Sequence, residues 1–145
     1  MSTKEFLTRE EEQQVVKAIQ SAEFQTGGEI RVHIESSCKG DVLDRAASLF
    51  KSLKMHKTAL RNGVLIYLST SDRKFAIIGD AGINAVVPVG FWDDVKDLMI
   101  SKFSGGELVQ GFVLGISKVG EKLKEFFPYQ EDDVNELSDE ISYGK

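Results

Sequence analysis

From residue 8 to about residue 24, apolar side chains recur at helical spacing, with Val15, Ile19 and Ala22 on one stripe of an otherwise polar segment. Thr8 followed by Glu11 spells a capping box, in which each side chain satisfies a free backbone N–H of the first turn. The pattern predicts a helix, broken at Gln25-Thr26-Gly27-Gly28. The period then drops to two. Over residues 29–35, Ile30, Val32 and Ile34 alternate with Glu29, Arg31, His33 and Glu35, which predicts a half-buried strand whose polar side, His33 included, meets water. After a loop at Ser36 to Gly40, Asp41 opens a second helix with Asp44 in its first turn, where a carboxylate favours the helix dipole. Leu43, Ala46, Phe50 and Leu53 form its buried stripe, and Lys51, Lys54, His56 and Lys57 read as a solvated end.

Two strong strand signals follow back to back. Val64 to Leu68 and Phe75 to Ile78, separated by a polar break at Ser69 to Lys74, predict a hairpin. Strand, helix and strand in this order make a βαβ unit, so the first two strands run parallel and the third returns antiparallel. Residues 79–90 form a long connection with Gly79, Gly82, Pro88 and Gly90. A third helix is predicted over 91–102, with Val95, Leu98 and Met99 inward, Asp93 and Asp94 in its first turn, and Trp92 in the core or lining a pocket. Ser104 and Glu107 predict a second capping box, opening a last helix that runs to about residue 127 and is stopped by Pro128. Leu108, Phe112, Ile116, Val119, Leu123 and Phe126 form its stripe, with Gly111 and Gly115 placed for close packing onto the sheet. The reading is a single-domain α/β sandwich over residues 6–128. It has a small mixed sheet, a βαβ unit plus an antiparallel hairpin strand, with about four helices packed on both sides. Residues 129–145 form an acidic tail, read as weakly ordered or laid along the surface.

Composition narrows the classes. A length of 145 residues, 41% hydrophobic and 28% charged, suits one soluble domain. A net charge of −5 argues against a basic nucleic-acid footprint and leaves room for acidic clusters that hold a hard cation. Cys38 is the only cysteine, which excludes an intramolecular disulfide and a thiol-rich metal site and suits a reducing compartment. The first residues lack a secretory h-region, and no run of ~18 apolar residues occurs, so membrane insertion is not expected and the cytoplasm is the expected location. P-loop, dinucleotide and GxSxG patterns are missing, and His33 and His56 are too few for a histidine zinc site.

The predicted topology gathers polar residues at two ends of the sheet. At the open end of the hairpin, Gly63 falls opposite Asp80, so Glu29, Asn62 and Asp80 converge, with Asn84 on the following loop and Asp93 and Asp94 able to fold over them. Oxygen ligands on a glycine-rich loop fit Ca²⁺ or Mg²⁺. The plain reading of the same residues is turn carboxylates and helix caps. At the opposite end, Ser36, Ser37, Cys38, Asp41, Asp44, Asp72 and Arg73 make a rival site, lacking a glycine-cradled anion motif.

The segments Thr26-Gly27-Gly28-Glu29-Ile30-Arg31-Val32, Asn62-Gly63-Val64-Leu65-Ile66 and Arg73 to Gly82 with its Gly-x-x-Gly core resemble the TPM-domain family, which includes thylakoid-lumen proteins and many bacterial ones. The resemblance covers about residues 6–128 and is greatest to the short stand-alone bacterial branch. It implies a compact α/β sandwich, an association with divalent cations and, by analogy with some relatives, acid phosphatase activity. Asn62, Gly63, Arg73 and Gly82 match the family pattern. Where many relatives have Gly-Tyr-Gly-Leu-Glu, this chain has Asp80-Ala81-Gly82-Ile83-Asn84, so the glutamate is lost and a carboxylate appears at Asp80. The expected function is a divalent-cation-binding domain, with a metal-assisted phosphatase as its catalytic form. The alternative is a non-catalytic adaptor that meets a protein partner through a helix surface or the tail residues Val134, Leu137, Ile141 and Tyr143.

Overall fold

The two central apolar runs pair as a hairpin, and the rest of the chain wraps it. A computed structural model describes residues 7–128 and 141–144. Its elements are α1 (Arg9–Phe24), β1 (Glu29–Glu35), α2 (Val42–Ser52), a 3-10 turn (Met55–Lys57), β2 (Gly63–Ser69), β3 (Lys74–Gly79), α3 (Ala81–Asn84), α4 (Phe91–Ser104), α5 (Leu108–Phe126) and β4 (Ser142–Tyr143). The sheet order is β3-β2-β1-β4. β1 runs parallel to β2 with Glu29 beside Gly63, and β3 returns antiparallel with Val64 beside Gly79 and Ser69 beside Lys74. The capping box of α1 forms: Thr8 N–H donates to Glu11 Oε1 at 2.9 Å and Glu11 N–H to Thr8 Oγ1 at 3.1 Å.

Each face of the sheet has its own core. Ile30, Val32, Ile34, Val64, Ile66 and Ile77 meet α1, α4 and α5 on one side. On the other, Leu65, Tyr67 and Ala76 meet Ala46, Leu49 and Phe50 of α2, with Met55 and Cys38. This second layer changes the reading of β1. Three of its four polar positions do not face water: Glu29, His33 and Glu35 are buried and Arg31 is half-buried, with Arg45 of α2 reaching across to Glu35. The alternation of β1 therefore separates an apolar core from a hydrogen-bonded polar one.

Several expected details differ. Leu43 is exposed, and Leu49 takes its place in the α2 stripe. The connection over residues 79–90 contains α3, N-capped by Asp80. The second capping box does not form, because α4 extends to Ser104 and makes that residue helical. Glu107 starts α5 without a side-chain cap and instead pairs with Lys102 at 3.4 Å. Gly111 and Gly115 give close packing against α4, not against the sheet. A Cβ at Gly115 would lie 2.1 Å from Met99 Sδ, and one at Gly111 would lie 2.4 Å from Phe103 Cε1. At the far end of the chain, Ser142 and Tyr143 add β4 alongside His33 and Ile34. Val134 and Leu137 lie outside the described residues.

Candidate functional site

The sequence places Asn62 just before β2, where it ties three segments together. Its N–H donates to Thr58 Oγ1 at 3.3 Å, its Nδ2 to the Gly27 carbonyl at 3.2 Å, and its carbonyl accepts from Glu29 N–H at 3.4 Å. Asn62 is 1% and Glu29 2% exposed. Opposite Gly63, Asp80 closes the same end, with its N–H on the Gly63 carbonyl at 2.9 Å. The backbones of Glu29, Asn62 and Asp80 thus lie at the same end of the sheet.

Asp80 is 6% exposed, and its carboxylate is held by a two-pronged arginine. Arg61 Nε donates to Oδ2 at 2.7 Å and Nη2 to Oδ1 at 2.8 Å, while Ala81 N–H donates to Oδ1 at 2.7 Å. Burial alone would push this carboxyl up. The Arg61 fork and the Ala81 N–H outweigh it, aided by His56 on the 3-10 turn, so Asp80 titrates below the ordinary carboxylate range. The backbone enforces the fork. Gly82 N–H donates to the Arg61 carbonyl at 2.8 Å, and a Cβ at residue 82 would lie 2.1 Å from the Leu60 carbonyl oxygen. The close approach requires glycine at 82 and sets Arg61, at φ 52°, within reach of Asp80. The side chain of Arg61 is nevertheless half in solvent.

Asn84 is used differently. Its Nδ2 donates to the Gly79 carbonyl at 2.7 Å and its Oδ1 accepts from Trp92 Nε1 at 2.8 Å, so it fastens α3 to β3 and α4. Trp92 is partly buried against the larger core. Asp93 and Asp94 lie exposed on the first turn of α4. Among the described residues, no group of three or more His, Cys, Asp or Glu is arranged to hold a metal ion.

The rival end is a set of loop clamps. Asp72 Oδ2 accepts from Cys38 N–H, and Lys74 Nζ donates to the Cys38 and Gly40 carbonyls at 3.1 and 2.9 Å. Asp41 caps α2 through the N–H groups of Leu43 and Asp44 at 2.8 and 3.0 Å. Asp44 lies in the first turn of α2, and Arg73 holds a left-handed turn at φ 53°.

Beside this end lies a cluster that periodicity alone did not single out. Glu35 accepts from Arg45 Nε at 2.9 Å and Nη2 at 2.8 Å, from the Tyr67 hydroxyl, and from His33 Nε2 at 3.3 Å. Burial would raise the Glu35 carboxyl, but Arg45, Tyr67 and His33 bring it down to about 2. Burial lowers His33 below its usual range, so the ring is neutral, and burial with the Glu35 contact drives Tyr67 upward. Part of the signal was present in the predicted βαβ unit, whose crossover helix lies on that face of the sheet and brings Arg45 to Glu35.

A family model described as the TPM domain matches residues 1–122. The chain belongs to the TPM-domain family. This TPM domain is similar in structure to the BA42 protein of the psychrophilic bacterium Bizionia argentinensis, at 49% identity and TM-score 0.90 over 97% of each chain. It shares its fold with the N-terminal domain of a P. gingivalis protein, at 18% identity and TM-score 0.68, covering 88% of this chain and 84% of that one. The N-terminal domain of the cg2496 protein of Corynebacterium glutamicum follows at 14% identity and TM-score 0.65, covering 81% and 74%. No curated protein matches the chain. The α/β architecture of one mixed sheet with helices on both faces is that of these TPM-fold neighbours. Among the described residues, no helix of this TPM domain is long and apolar enough to cross a membrane.

Proposed function

We propose that this TPM domain binds a divalent cation, Ca²⁺ or Mg²⁺, at the sheet end formed by Glu29, Asn62 and Asp80. The observation that carries the reading is the Arg61–Asp80 fork: a buried, readily ionised carboxylate whose arginine partner is itself half in water. A cation approaching this end trades places with Arg61, which is re-solvated as it leaves. Asn62 Nδ2 donates to the Gly27 carbonyl, which fixes the side chain, and its amide oxygen would serve as a neutral ligand. Two carboxylates and one amide fall short of a closed cage, so the ion keeps most of its water, as Mg²⁺ does and weak Ca²⁺ sites do. Asn84 supports the loop by fastening α3 to β3 and α4.

A bound ion supplies the chemistry of a phosphatase, polarising a phosphoryl oxygen and lowering the pKa of a water. The chain's own part is to hold Asp80 ionised and Asn62 fixed. A titration with Ca²⁺ and Mg²⁺ followed by amide NMR shifts tests the site. Saturable shifts at Glu29, Asn62, Asp80 and Ala81, abolished in Asp80→Ala, are expected. The absence of shifts at millimolar metal refutes it. Loss of phosphomonoester hydrolysis in the same variant extends the reading to catalysis.

The adaptor reading has one observation of its own. A groove of about 320 Å³ runs between α1 and α5, lined by Ala18, Ser21, Ala22, Ser117 and Gly120. Phe24, next to it in sequence, is 80% exposed. A pull-down lost in Phe24→Asp with cation binding intact favours this second reading.

A further inference from the structure

Residues 141–144 dock on the outer edge of β1 through contacts that read every position. Ile141 is buried in the larger core. Ser142 Oγ lies 2.7 Å from His33 Nδ1 and 3.3 Å from the Val32 carbonyl. The Tyr143 hydroxyl donates to Glu12 Oε2 on α1 at 2.8 Å. Gly144 N–H donates to the Ile34 carbonyl at 2.9 Å, and a Cβ at 144 would lie 2.4 Å from Glu35 Oε1 and 3.1 Å from His33 Nε2.

His33 is not free to adapt to another side chain. Its ring lies parallel to that of Tyr67 at 6.0 Å, and Nε2 faces Glu35. With Nε2–H donating to that carboxylate, neutral His33 presents a bare Nδ1, and the single proton of the Ser142 hydroxyl is shared between this acceptor at 2.7 Å and the more distant Val32 carbonyl at 3.3 Å. The edge therefore selects an apolar residue, a hydroxyl, a tyrosine and a glycine in succession. It holds them with a strand of only two residues on a seven-residue neighbour.

We propose that the outer edge of β1 is a strand-docking groove specific for the pattern apolar–Ser–Tyr–Gly, and that residues 141–144 of a second copy of the chain occupy it in exchange for the chain's own. The connecting residues 129–140 number twelve and span about 40 Å when extended, enough to reach a neighbouring copy. The exchange is symmetric, because each copy gives and receives the same contacts. Concentration then decides between the two states. A tethered strand competes at an effective concentration on the order of millimolar, so exchange grows as the protein approaches that range.

Full-length Gly144→Val, in which the added side chain meets Glu35 and His33, opens the groove for a test. A fluorescent peptide of residues 138–145 binds this variant saturably by anisotropy. The same peptide with valine in place of its glycine loses about tenfold or more in affinity. The wild-type chain binds the natural peptide more weakly, because its own strand competes. Light scattering shows the wild type dimerising as it approaches millimolar concentration, while Gly144→Val stays monomeric. If that variant does not fold, Ser142→Ala with Tyr143→Phe loosens the strand without adding bulk and takes its place. Failure of the natural peptide to bind, equal binding of both peptides, or a wild type that stays monomeric into the millimolar range overturns the proposal.

Discussion

The sheet carries a buried carboxylate gripped by an arginine fork at each end, and the two forks are built differently. Glu35 is held from three separate packed elements: Arg45 on α2, Tyr67 on β2 and His33 on β1 itself. Asp80 is held by Arg61, from the segment just before β2, and by Ala81, which follows it at the start of α3. Releasing Glu35 disturbs the whole polar layer under α2. Releasing Asp80 disturbs one loop. The same chemical pair is thus a structural joint in one place and an openable latch in the other, and the difference lies in what surrounds it.

The most damaging way to break this comparison is Glu35→Ala, which strips the acceptor from Arg45, Tyr67 and His33 at once. A loss of ~3–5 kcal/mol is expected, as for a broken buried ion pair, read from urea unfolding. The Glu35 carboxyl falls from an ordinary 4.5 to about 2 in the fold. Its stabilisation is therefore present above pH 4.5 and lost as pH falls toward 2, roughly 3 kcal/mol in all, because the unfolded state takes up the proton first. Asp80 and His33, both shifted down, add with the same sign, His33 beginning near its ordinary 6.5. Unfolding midpoints measured against pH check this, and Glu35→Gln flattens the acid limb.

Gly82→Ala comes next, at ~1–3 kcal/mol, because its new methyl runs into backbone and not into a yielding side chain. Asp80→Ala is expected to lose less, ~1–2 kcal/mol, the size of a helix cap, since Arg61 is re-solvated when abandoned. The gentlest change sharpens the comparison most. Arg61→Ala leaves the fold in place and raises cation affinity at Asp80 by freeing the carboxylate, whereas Arg45→Ala leaves cation affinity unchanged. Equal responses to the two arginine variants in a calcium titration would erase the distinction drawn between the forks.

The backbone plan was legible because the helical and twofold periods are written in the apolar residues. Val15 and Ile19 mark α1, and Val64 to Leu68 mark β2. The order of the first three strands followed from the βαβ rule and the hairpin, whose register puts Asp80 opposite Gly63, whereas β4 fell in what reads as an acidic tail. The polar layer was harder to read. Glu35, His33 and Tyr67 are joined across β1, α2 and β2, and their pairing depends on side-chain geometry that no single segment encodes. The fork at Asp80 was missed for a related reason. Sequence places Arg61 at the same open end of the hairpin as Asp80, but the fork itself depends on the close approach at Gly82. Ser104 misled because helix α4 runs past the residue that had the look of a cap.

The pairing of β4 with β1 also bears on how the chain is made. Ser142 meets His33 across 109 positions of sequence, the kind of long-range contact that slows folding. During synthesis, α1, β1 and the hairpin emerge first, and the outer edge of β1 waits for its partner until residues 141–144 are translated. An unpaired edge is where nascent chains stick to one another. Glu23 gives that edge partial cover, accepting the Ile30 N–H at 2.6 Å from the end of α1. Until residue 144 has left the ribosome, this one carboxylate shields the N-terminal part of a strand that nothing yet closes.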